Sequence, residues 1–200
     1  MPYDANATRT RILEAAAEEF AAEGMAGARV DRIAERAQAN KASIYSYFGS
    51  KDELFEVVLR SKVGVLGGVV IDPAALPDYV GRLFDLHFEY PDLVRLLQYE
   101  ALHFGAEGVP WAEEAPRAAH YRANVAAIRE GQARGLVNRD VPAESLLLAL
   151  NSLVGWFAAV PQITRMLLDD AADPGAFARH RATLVTLAHA MVTPIEASSN

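Results

Sequence analysis

Apolar residues recur along this chain at three- and four-residue intervals, and no alternating apolar–polar run is sustained anywhere. That period is the mark of helices packed through one face, so the pattern predicts an all-α chain. Ile12, Ala16 and Phe20 stand four apart, with Leu13 and Ala17 beside them, and Gly24 is placed to stop that helix. Val30, Ile33, Ala34 and Ala37 then mark a short helix, and Ile44 and Phe48 mark a second over Lys41–Phe48. Ser50 with Glu53 three residues later spells a capping box, which opens a helix over 51–66. Gly64, Gly67 and Gly68 weaken its end. Further helical patterns cover about 76–89, 91–104, 113–135, 142–160 and 174–192, three of them with proline near the start, where it is tolerated. The expectation is about nine helices.

The tight spacing of the second and third helices carries the first functional hint. Only Gln38 and Ala39 separate them, Asn40 is a good N-cap, and Ala34 and Ala37 are small enough for a close crossing. This is what a helix-turn-helix requires, with its second helix in a major groove. The polar side of that helix is small or hydroxyl-bearing. Ser43 and Ser46 suit base edges or phosphates, Ala42 suits a thymine methyl, and Lys41 stands at the helix start. Tyr45 and Tyr47 carry hydroxyls that can donate to phosphate, and Lys51 opens the next helix, where backbone N–H groups attract anions. Any one of these residues alone is more readily a core aromatic or a solvated lysine; together, in this spacing, they read as a DNA-contacting set.

The segment from about Thr10 to Leu59 resembles the DNA-binding domain of the tetracycline-repressor (TetR) family of transcription regulators. The resemblance rests on Ile12, Leu13, Ala15, Ala16, Phe20, Gly24, Val30, Ile33, Ala34, Ala37 and the run IYSYFGSKDEL at 44–54. Two departures stand out. Gln38-Ala39-Asn40 replaces the usual Gly-Val-Ser turn; if the turn needs positive φ, Gln38 costs about 1 kcal/mol relative to glycine. Arg29 stands where threonine is usual, which removes a hydroxyl cap and adds a guanidinium that seeks phosphate.

The resemblance implies a DNA-binding domain over 1–50 and an effector-binding and dimerisation domain over 51–200, connected through helix 51–66. It implies a homodimeric repressor on a palindromic double-stranded DNA operator. A small effector would release it by moving the connecting helix and respacing the two heads. For a mostly apolar effector, the candidates are Phe84, Phe88, Tyr99, His103, Trp111, His120 and Tyr121, although an aromatic at helical spacing is more often core. For the dimer they are Leu150, Leu153, Trp156, Phe157, Phe177, Leu184 and Leu187, with Trp156 and Phe157 fitting a partner or their own core equally well.

Composition narrows the alternatives. The 200 residues include no cysteine, which removes thiolate metal sites and cysteine nucleophiles. The five histidines lack metal-ligand spacing, and no nucleophile elbow, phosphate loop or dinucleotide fingerprint is present, so neither cofactor nor enzyme activity is expected. The N-terminus has no apolar signal region, and Leu146–Val160 is shorter than a membrane span, which points to the cytoplasm. An all-helical enzyme and an interaction module without DNA binding are the rival readings. Net charge is −7, but residues 1–51 carry seven basic and seven acidic side chains, so the excess acid lies wholly in 52–200. A neutral head predicts a shallow salt dependence of DNA binding, set by a few placed residues.

Overall fold

The computed structural model describes residues 4–103, 114–168 and 173–194. Their regular structure is entirely helical: α1 (Ala5–Gly27), α2 (Val30–Arg36), α3 (Lys41–Phe48), α4 (Lys51–Val63), a 3-10 helix (Gly64–Gly68), α5 (Leu76–Glu89), α6 (Pro91–His103), α7 (Glu114–Ala133), α8 (Ala143–Ala159), α9 (Pro161–Leu168) and α10 (Ala176–Val192). Ten α-helices thus stand where the apolar spacing predicts nine; the extra one is α9. The chain turns by 88° between α8 and α9, and Pro161 opens the new helix. No single helix among the described residues is long and apolar enough to cross a membrane.

The helices group into two compact units, α1–α4 with α6 and α5 with α7–α10. By packing, α4 and α6 group with α1–α3. In the first unit Ile12, Phe20, Ile33, Ile44, Leu54, Phe55 and Leu96 are buried together, and the Phe20 and Phe55 rings meet edge to face at 5.0 Å. Gly24 breaks α1 with φ +68°, and a Cβ there would stand 2.7 Å from the Tyr99 ring, so no other residue fits without a shift.

The orientation of α2 against α1 depends on one carboxylate that the apolar pattern does not reveal. Glu19 is 2% exposed. It accepts the backbone N–H of Arg29 at 2.9 Å and the Arg32 guanidinium at 2.7 Å, with Arg36 at 3.9 Å. Arg29 makes no side-chain cap for α2, so a carboxylate from α1 secures the helix entrance instead. Burial alone would push the Glu19 carboxyl up. The Arg29 N–H, the Arg32 guanidinium and the charge of Arg36 outweigh it and hold the carboxyl below its ordinary value.

In the second unit, α5 and α10 are clasped by Asp85, which accepts two nitrogens of the Arg181 guanidinium at 2.7–3.0 Å. Gly81 leaves room for that guanidinium, which would lie 2.8 Å from a Cβ. Phe84, Phe88, Phe157 and Phe177 pack ring on ring at 4.6–6.3 Å, joining α5, α8 and α10.

Glu19→Ala removes the anchor and leaves the Arg32 Nε and the Arg29 N–H without their acceptor; urea unfolding should show a loss of about 2–4 kcal/mol. Because its folded pKa is depressed, the stability Glu19 contributes is present at neutral pH and lost as pH falls through the carboxylate range. Glu19→Gln should therefore flatten the acid limb of a stability–pH profile.

Candidate nucleic-acid interface

The helix-turn-helix forms where the spacing places it, and each junction has a visible cause. Gln38 takes φ +49°, the left-handed turn that the missing glycine would otherwise supply. The Ala39 N–H donates to the Ala34 carbonyl at 2.9 Å, closing α2. The Asn40 side chain accepts the Ser43 N–H at 2.6 Å and so starts α3. At the far end Gly49 has φ +77°, and a Cβ there would run into the Glu53 carboxylate. That carboxylate accepts the Ser50 N–H at 2.7 Å while the Ser50 hydroxyl accepts the Glu53 N–H at 3.1 Å, completing the capping box of α4.

With Ile44 and Phe48 buried, α3 presents Lys41, Ala42, Tyr45 and Ser46 to solvent, a stripe repeating every four residues. Tyr45 is 44% exposed. Ser43 is half-buried, and Tyr47 packs partly against the core with its ring 6.2 Å from Phe48. Beside the start of α3 runs an open groove of about 410 Å³, lined by Asp4, Thr8, Arg11, Gln38, Ala39, Asn40 and Ser43.

The cations of this unit are largely engaged within it. Arg32 meets Glu19 and Glu23, and Arg36 meets Glu18. Arg11 donates to the Ala37 carbonyl at 3.1 Å, and the Arg9 guanidinium stands 5.2 Å over the Phe48 ring. Lys41 pairs with Asp31 at 2.9 Å, while the Arg29 side chain is exposed. Lys51, the expected phosphate contact, is engaged within the chain. Its ammonium donates to the carbonyls of Met25 at 2.7 Å and Ala28 at 3.4 Å, tying the start of α4 to the end of α1.

The described effector candidates fall in both units. Phe84 is fully buried inside the four-phenylalanine cluster, and Phe88 joins that cluster while remaining 45% exposed. Tyr99 lies against Gly24 in the first unit. His120 and Tyr121 sit on α7, rings 5.7 Å apart. The Nδ2 of buried Asn124 donates to His120 Nε2 at 3.0 Å, and its Oδ1 accepts the Ile71 N–H. Burial pushes the His120 imidazole below its ordinary value, which keeps that nitrogen able to accept. Trp111 and the side chain of His103 lie outside the described residues.

The dimer candidates divide as well. Leu150 and Leu184 are buried within their own chain, and Phe157 and Phe177 join the phenylalanine cluster, with Phe177 still 44% exposed. Trp156 is 63% exposed and Leu187 46%, with Leu153 half-buried.

Residues 12–58 match the family of bacterial regulatory proteins called tetR, and residues 75–189 match the tetracyclin repressor-like C-terminal domain. The chain belongs to the TetR family. It is 45% identical over 166 residues to the HTH-type transcriptional repressor SCO4008 of Streptomyces coelicolor, covering 82% of this chain and 85% of that one. It is 31% identical to the repressor NicS of Pseudomonas putida, covering 76% of each. Among solved structures, SCO4942 of Streptomyces coelicolor matches with a TM-score of 0.80 at 36% identity, covering 92% of this chain and 98% of that one. As a TetR-family member the chain is a DNA-binding transcriptional regulator, not an enzyme.

Lys51→Met removes both carbonyl contacts and should lower the unfolding free energy by about 1.5–3 kcal/mol, while the salt dependence of DNA binding stays as in the wild type. Gln38→Gly relieves the left-handed strain and should raise stability by about 1 kcal/mol; thermal and urea unfolding check both.

Proposed function

We propose that this regulator is a homodimeric repressor that holds a palindromic operator through one α3 per half-site and leaves it when a small, mostly apolar effector binds. The observation that carries the DNA reading is the solvent-facing stripe Lys41, Ala42, Tyr45 and Ser46 on a helix capped at both ends. Lys41 and Ser46 supply polar contacts, Ala42 lets the helix seat deeply, and Tyr45 donates its hydroxyl to a phosphate. Asn40 holds the helix start, while Ser43 and Tyr47 flank the stripe from half-buried positions.

Exposed Leu148 and Trp156 on α8 and Leu187 on α10 support assembly through those two helices. For the effector, the His120–Tyr121 stretch of α7 offers an imidazole held neutral by burial beside a half-exposed phenol. Cytoplasmic action follows from an operator as target.

Selection of bound duplexes from a random pool tests the reading. The expected result is a palindrome with half-sites about one helical turn (~34 Å) apart or a related spacing; enrichment of no sequence overturns it. On the selected site, Tyr45→Ala should weaken binding about tenfold, read by fluorescence anisotropy. Trp156→Asp should shift the chain toward monomer in light scattering and weaken operator binding with it.

A further inference from the structure

The pairing of Lys41 with Asp31 joins the first residue of the DNA-facing helix to the helix before it. Lys41 Nζ stands 2.9 Å from Asp31 Oδ1, and both side chains are exposed. Asp31 lies in the first turn of α2, where the helix dipole favours a carboxylate. The Lys41 ammonium donates to Asp31 and holds that carboxyl below its ordinary value, and Asp31 in turn holds the ammonium above its own, so both are charged at neutral pH. The Arg29 charge acts on the same pair from the α2 entrance.

We propose that Asp31 is a specificity-determining residue: it occupies the Lys41 ammonium in the unbound head, so that Lys41 engages DNA only where the duplex offers a better acceptor. The inference rests on the reading of α3 as the DNA-facing helix. A phosphate met at random must displace a carboxylate that is already in place and must also tolerate that carboxylate's negative charge nearby. A duplex that seats α3 fully brings Lys41 to an acceptor fixed by many other contacts, and the exchange then proceeds. The pair therefore lowers binding to random DNA more than binding to the operator. Specificity arises here from an unfavourable contact kept for the wrong partner, not from an added favourable contact to the right one. The setting reinforces the effect. Arg32 and Arg36 are already bound to Glu18, Glu19 and Glu23, so Lys41 is one of few cations that can shift the electrostatic balance of the head.

The test compares Asp31→Asn with the wild type on a selected duplex and on a random-sequence duplex, across a salt series, by fluorescence anisotropy. Asparagine keeps the size of the side chain and its compatibility with a helix start, and circular dichroism confirms that the head is folded. The expected result is about a three- to tenfold gain on random duplex, a smaller gain on the selected one, and a salt dependence on random duplex steeper by about one unit per bound head. The same substitution made in a Lys41→Gln background should gain far less. An unchanged ratio and slope overturn the proposal, and so does an equal gain in the Lys41→Gln background, which would make Asp31 a general repulsive charge. A wild-type chain that binds neither duplex overturns the DNA-facing reading itself, and the role of Asp31 falls with it.

Discussion

The buried carboxylate of Glu19 is the constraint on which the head depends. A helix-turn-helix aims its second helix only as accurately as its first is held, and α2 has seven residues and no side-chain cap of its own. An ionised group at 2% exposure is tolerable only with full hydrogen bonding. Its Oε1 accepts the backbone N–H of Arg29 and the guanidinium of Arg32, and its Oε2 faces the Arg36 guanidinium at 3.9 Å, all three from the α2 segment. Sliding or tilting α2 breaks these bonds and exposes a buried charge, so the helix has one seat. The turn at Gln38 and the Asn40 cap then carry that seat forward to α3.

Tight internal pairing of charges has a functional side. A basic surface binds any duplex by releasing counterions, and sequence adds little to that. Here most cations of the head serve the protein itself: Arg32 and Arg36 hold the helices together, Lys51 closes the α1 terminus, and Arg11 takes a turn carbonyl. What remains toward solvent on α3 is a short stripe of small, hydroxyl and amine groups. On the proposed reading such a surface would discriminate by fit, and the acidic remainder of the chain would discourage wrapping.

Elements with a strong local signature were legible in the sequence. The capping box at Ser50 and Glu53, the Asn40 cap and the α5 span of 76–89 match their structures closely, because each depends on neighbours within four residues. The absence of the usual turn glycine points to Gln38 as the strained position if the turn is left-handed, and its φ is positive. Long-range chemistry was not legible. Nothing in the spacing shows that Glu19 reaches Arg29 or that Lys51 reaches Met25, since both contacts depend on how helices cross. The aromatic residues show the same limit: their helical period announces burial, but Phe84 and Phe88 meet Phe157 and Phe177 across three helices, while Tyr99 fills the space above Gly24. The helix α9 escaped because eight residues after a proline give too short a period to read.

The proposal that α3 meets DNA through its solvent-facing stripe places the effect of binding locally. Amide hydrogen exchange with and without the selected duplex measures it directly. The account predicts slowed exchange over Asn40–Gly49 and along the groove flanked by Thr8 and Arg11, with α5 unchanged. Exchange over α3 that is indifferent to DNA, with protection appearing instead on the helices of the second unit, contradicts it.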